Sequence, residues 1–158
     1  MPLRAFIVLI VLALVPRSLR FQVFLALGDR LDTREKIVDL ARAAQITADL
    51  RKSGAKWKLV TGYFDVLTPD RVRDLQASAN GGRLVAIVLD PQNPLLGSRA
   101  RAELAASLRM IDCVILLGNG DVEQAIRELQ PDEVIRAEAA DKRHSQALIE
   151  HVNRRSKG

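Results

Sequence analysis

From residue 39 to residue 155 the apolar positions switch repeatedly between two rhythms. Helical spacing marks amphipathic helices at about 39–52, 69–79, 98–108, 121–129 and 144–155, and short apolar runs mark strands at 58–61, 83–89, 112–117 and 133–136. The run Leu84-Val85-Ala86-Ile87-Val88-Leu89 is apolar at every position. A strand with one wet face would alternate, so a continuous run implies cover on both faces, which is the habit of parallel sheets. Strands alternating with helices therefore predict an α/β fold: a Rossmann-like parallel sheet with helices on both faces. No internal repeat or low-complexity tract interrupts it.

The junction between the first strand and the helix after it carries the chemistry. Lys58-Leu59-Val60 is apolar at its core, Gly62 sits at the bend, and Val72, Leu75 and Ala79 recur at helical spacing. Thr68 suits the N-cap because its hydroxyl accepts from a first-turn amide, and Pro69 suits the next position because it has no amide to leave unpaired. In a parallel sheet such a helix start lies at the carboxyl edge of the strands, where free amides and the helix dipole favour an anion.

The residues of this turn are similar to a known signature. Gly62, Phe64, Asp65, Leu67 and Leu75 fall where the cytidylyltransferase-like nucleotidyltransferases carry Gly-x-Phe-Asp-x-x-His-x-Gly-His. Within that superfamily the chain most resembles the heptose-1-phosphate adenylyltransferase (ADP-heptose synthase) domain. Asp39 to Gly54 resembles the domain's leading helix, Val88-Leu89-Asp90 its second strand end, and Arg101-Ala102-Glu103 the helix that follows. Ile111 to Ile115 and Ile126 to Ile135 continue in the family's order, so the resemblance covers roughly residues 36–138. It implies that a sugar-phosphate oxygen attacks the α-phosphorus of ATP, with pyrophosphate leaving and Mg2+ assisting. Catalysis of this kind is mostly positioning and electrostatics.

The signature is degenerate. Thr68, Pro69, Asp70 and Arg71 stand at the four positions of His-x-Gly-His, so both histidines and the glycine are replaced. Thr68 donates one hydrogen bond but carries no charge. Arg71 supplies charge and a forked donor, with longer reach and fixed protonation compared with imidazole. Asp70 helps the helix dipole and opposes a bound polyphosphate. The family's later glycine pair falls near Ala137 and Glu138, after Arg136, and its Ser/Thr-rich helix start has a counterpart in His144-Ser145-Gln146. Ser145 reads both as a phosphate donor and, more simply, as the cap of the last helix. The resemblance thus implies Thr68 and Arg71 as degenerate catalytic positions, and Gly62, Tyr63, Phe64, Asp65, Arg136 and Ser145 as nucleotide-binding positions. Tyr63 and Trp57 read either as adenine-stacking groups or as packing beneath the leading helix. Asp65 reads either as a brace for the turn or as a neighbour of metal and phosphates.

Two functions follow. One is a nucleotidyltransferase of weak or lost activity that uses ATP, Mg2+ and a sugar phosphate. The other is a non-catalytic module that binds a nucleotide or a protein partner, including a second copy of itself. Composition does not decide between them. The 158 residues, 48% apolar, suffice for one core. The net charge of +5 is concentrated at the ends: residues 1–30 hold four arginines and one aspartate, residues 142–158 five Lys/Arg and one glutamate, and 31–141 balance to −2. The domain, at about 31–158, is therefore not basic, which argues against nucleic acid as a partner. Cys113 is the one cysteine and lies in an apolar strand, which fits a buried thiol and cytoplasmic residence. His144 and His151 lack further ligands of metal-binding type, so no metal site is expected.

Residues 1–30 form an apolar extension. Ala5 to Val15 is an unbroken run of 11 apolar residues after Arg4, and a bilayer span needs about 20. A leader in contact with a membrane, an element packed on the domain or a partner, and a start assigned too far upstream are the three readings. Membrane contact is expected only if the extension is real.

Overall fold

The computed structural model describes residues 32–117 and 120–156, and the apolar extension lies outside the described residues. A 3-10 turn (Thr33–Lys36) leads into β1 (Ile37–Val38), α1 (Leu40–Lys52), β2 (Trp57–Gly62), α2 (Pro69–Ala79) and β3 (Arg83–Val88). These are followed by α3 (Ser98–Ser107), β4 (Ile111–Leu116), α4 (Val122–Leu129), β5 (Glu133–Arg136) and α5 (Glu138–Arg155). Every strand pairing is parallel, and the order across the sheet is β1-β4-β3-β2-β5. The expected α/β sheet is present, with most boundaries within one or two residues of those read from the pattern.

Two elements differ from expectation. The short β1 has no counterpart in the sequence pattern; it forms the edge of the sheet and pairs with β4 through Ile37 and Val38. Lys36 fixes its approach by donating to the carbonyls of Leu108 (3.1 Å) and Ile111 (2.8 Å), and burial lowers the pKa of its ammonium. The last helix starts at Glu138 rather than at 144, so Ser145 lies well inside it and is not its cap. The run Glu138-Ala139-Ala140-Asp141 explains the early start, because alanine is the best helix former and carboxylates suit the positive end of the dipole.

Local chemistry sets the other helix ends. Asp39 caps α1 by accepting from the Arg42 amide at 2.7 Å, and Asp121 caps α4 by accepting from Glu123 at 2.8 Å. Asn80 and Gln130 close α2 and α4 in the left-handed conformation.

The sheet separates two apolar layers, as the continuous strand runs require. On one face Val60, Leu84, Ala86, Val88 and Val114 pack with Leu75 of α2 and Ala102, Ala105 and Ala106 of α3. On the other, Trp57, Leu59, Val85, Ile87, Cys113 and Ile115 pack with Ala43 of α1 and Ala125 and Leu129 of α4. Small alanines on α1, α3 and α4 let the helices approach the sheet closely. Trp57 is fully buried, which settles its role as packing beneath α1. Burial, together with Asp112, pushes the Cys113 thiol up to about 12. Among the described residues no helix is long and apolar enough to cross a membrane.

Candidate functional site at the strand crossover

The strand order reverses at β2, which has β3 on one side and β5 on the other. Open α/β sheets bind ligands at the carboxyl end of such a reversal. Here that position is bounded by Gly62, the turn after it, the start of α2 and the start of α5. The Leu89 amide donates to the Gly62 carbonyl at 2.8 Å and the Ala137 amide to the Thr61 carbonyl at 2.9 Å, so the crevice floor is fixed from both sides.

The crevice is filled by a side chain that the sequence pattern did not single out. Asp141, in the first turn of α5, is 2% exposed, and its Oδ2 accepts from the amides of Tyr63 (2.7 Å) and Phe64 (3.2 Å). Its Oδ1 accepts from Arg71 Nε at 2.6 Å, and Arg71 is itself 4% exposed. The carboxylate lies directly over Gly62: a Cβ there would stand 2.5 Å from Asp141 Oδ2. Glycine is thus required by close approach. Phe64 holds the turn with a φ of 52°, a left-handed conformation that costs a non-glycine residue about 1 kcal/mol. Its buried ring lies 5.9 Å from the Arg71 guanidinium carbon, within cation–π range. Among the described residues, Arg71 Nη2 is buried without a hydrogen-bond partner.

The remaining residues singled out by sequence divide by location. Thr68 caps α2, its Oγ1 accepting from the Arg71 amide at 3.3 Å. Asp70 is exposed and accepts from Arg73 at 2.5 Å, so it does not enter the crevice. Glu138 does reach its rim, accepting from Thr61 Oγ1 at 2.5 Å. Asp65 is buried and accepts from the amides of Leu95 (2.7 Å) and Leu96 (2.9 Å), bracing the loop before α3. Arg136 is exposed and donates to Glu123 of α4 at 2.6 Å. Ser145 lies about one turn down α5 from Asp141. The structure therefore brings together Gly62, Tyr63, Phe64 and Arg71, and leaves Asp65, Arg136 and Ser145 in separate surroundings.

A second buried arginine organises the neighbouring strand ends. Arg101, 1% exposed, donates from Nε to the Leu96 carbonyl (3.0 Å) and from Nη1 to the carbonyls of Tyr63 (3.2 Å) and Leu89, and Nη2 pairs with Asp90. It ties the loop after β2 to the loop after β3. A shallow depression of about 360 Å³, lined by Lys56, Trp57, Lys58, Asn80, Asp132 and Glu133, opens at the opposite edge where β2 and β5 begin.

Sequence comparison with known proteins finds relatives of one kind. The bifunctional protein HldE of Caulobacter sp. is 33% identical over 123 residues, 71% of this chain and 25% of that protein. HldE of Gluconobacter oxydans is 30% identical over 110 residues, 63% of this chain and 23% of that protein, and HldE of Gluconacetobacter diazotrophicus 26% identical over 141 residues, 83% and 29%. The chain is a relative of part of HldE. It spans about a quarter of the length of these relatives. Together with the all-parallel sheet, the matches bear out the resemblance to a cytidylyltransferase-like domain of the heptose-1-phosphate adenylyltransferase type. No protein-family model matches the chain.

Proposed function

We propose that this chain is a catalytically silent nucleotidyltransferase-like module whose phosphate-facing crevice is closed by its own carboxylate. The observation that carries the reading is the Asp141 side chain, which takes the amides of Tyr63 and Phe64 and the Arg71 guanidinium at once. A polyphosphate entering there would have to displace a buried anion. Thr68 and Arg71, at the former histidine positions, are committed to a helix cap and to that ion pair. The donor set does not fit a magnesium-bound nucleotide either. Asp141 and Asp65 use both oxygens on amides and guanidinium, and one Glu138 oxygen holds Thr61. Cytoplasmic residence fits a lone buried cysteine.

The full chain incubated with ATP, Mg2+ and a heptose 1-phosphate is expected to release no pyrophosphate above background. Release that disappears in Arg71→Ala would overturn the reading and establish an altered nucleotidyltransferase. Calorimetry with ATP is expected to show no binding, and binding without turnover would make the module a nucleotide sensor. A role in protein contact, the second reading, is favoured by Leu148, Ile149 and Val152, which are exposed along the outer half of α5. Light scattering across a concentration series distinguishes a homodimer from a monomer.

A further inference from the structure

The pocket around Asp141 offers more than a carboxylate uses. Two successive backbone amides and Arg71 Nε converge on its two oxygens, while Arg71 Nη2, buried beside them, has no partner among the described residues. Leaving a buried charged donor unsatisfied is costly, and natural structures rarely do it without a reason. A buried donor that the carboxylate leaves unpaired is expected where the cavity suits an anion with more oxygens than a carboxylate has. The backbone under that anion is glycine, which lets the ligand approach to contact. Apart from Asp141, the element supplying the carboxylate is held at its start by the Glu138–Thr61 and Ala137–Thr61 hydrogen bonds, and the helix beyond exposes Leu148, Ile149 and Val152.

We propose that Asp141 is an autoinhibitory plug, a tethered stand-in for a tetrahedral oxyanion, and that the pocket beneath it is intact and takes phosphate once the carboxylate is withdrawn. The proposal rests on the silent-module reading and adds that the silence is imposed by one removable group. The tether explains why the plug wins: a carboxylate on the chain acts at an effective concentration far above that of a free anion. Withdrawal requires only that the first turn of α5 leave the crevice, because the Arg71 side chain, the Tyr63 and Phe64 amides and Gly62 all belong to the β2–α2 junction.

The test uses the full chain and inorganic phosphate as the probe, with chloride at matched ionic strength as control. Wild-type protein is expected to show no phosphate-dependent change in melting temperature. Asp141→Gly, which removes the carboxylate and clears the space above Gly62, is expected to be stabilised by phosphate in a saturable manner. At ten times the Kd the folded-to-unfolded ratio rises about elevenfold. Arg71→Met/Asp141→Gly is expected to lose that response. Should Asp141→Gly be unfolded at room temperature, phosphate is expected to refold it by the same linkage and to fail with the double variant. Absence of any phosphate response in Asp141→Gly, folded or unfolded, overturns the proposal. So does an equal response in the double variant, which would mean an adventitious ion only. Pyrophosphate release by wild-type protein would sink the silent-module reading while leaving the phosphate response of Asp141→Gly as a separate result.

Discussion

Two buried arginines stand at the carboxyl edge of this sheet and do opposite things. Arg101 places its nitrogens on the carbonyls of Tyr63, Leu89 and Leu96 and on the Asp90 carboxylate, so three of its four partners are backbone carbonyls of the adjoining loops. Arg71 spends Nε on one carboxylate carried by a distant helix and leaves Nη2 unpaired. The first arrangement is satisfied and therefore scaffolding. The second is a charge held by a single opposite charge, which is how a ligand site looks when the chain supplies the ligand. Burial alone does not separate the two arginines, since they are 1% and 4% exposed; the identity of their acceptors does.

The largest effect expected from breaking this contrast is at Arg101. Arg101→Met keeps the stem and removes every donor, leaving the Tyr63, Leu89 and Leu96 carbonyls with reduced pairing in a closed loop junction. A loss of about 3–5 kcal/mol in urea unfolding is expected, the range for disrupting a buried charged network. Because most of its acceptors are backbone, adding Asp90→Ala is not expected to recover stability. Recovery would mean that Arg101 is an ion-pair residue like Arg71, and the comparison would fail.

A smaller loss with a different signature is expected at the other arginine. Asp141→Leu leaves a buried guanidinium alone and should cost about 3 kcal/mol, as should Arg71→Met, which strands the carboxylate. The double variant removes both charges, so its loss is expected to fall short of the summed single losses by about 1–3 kcal/mol. The amides of Tyr63 and Phe64 still lose their acceptor, which keeps the double variant below wild type. Additive losses would show that Asp141 serves mainly the two amides and that the charge pair contributes little.

Sequence reading reached the sheet but not the plug, for physical reasons that lie in particular residues. Leu84 to Leu89 announces a strand covered on both faces without reference to anything else in the chain. Thr68-Pro69 announces a helix start by local hydrogen bonding, and the cap is where it was expected. Asp141 carries no such local signal. Its partners, Arg71, Phe64 and Tyr63, are 70, 77 and 78 residues away, and only the packing of β5 against β2 brings them together. Ala137, at the N-cap position of α5, has no side-chain oxygen to mark the helix start, whereas Ser145, inside the helix, carries the side chain of a cap. The pair Ile37–Val38 was hidden by its brevity; it is a strand because β4 has a free edge there.

The smallest expected effect tests where α5 begins, on which the contrast between the two arginines depends. Thr68 accepts from the Arg71 amide at the start of α2, so Thr68→Ala is expected to destabilise by about 1 kcal/mol. Ser145 sits mid-helix, where serine is a poorer helix former than alanine, so Ser145→Ala is expected to be neutral or stabilising by a few tenths of a kcal/mol. Measured side by side in urea, the two changes should therefore carry opposite or clearly unequal signs. Equal losses would mean that the helix starts at Ser145 in solution, with residues 138–144 outside it. Asp141 would then lack the helical frame that holds its carboxylate over Gly62, and Arg71 would need a different partner.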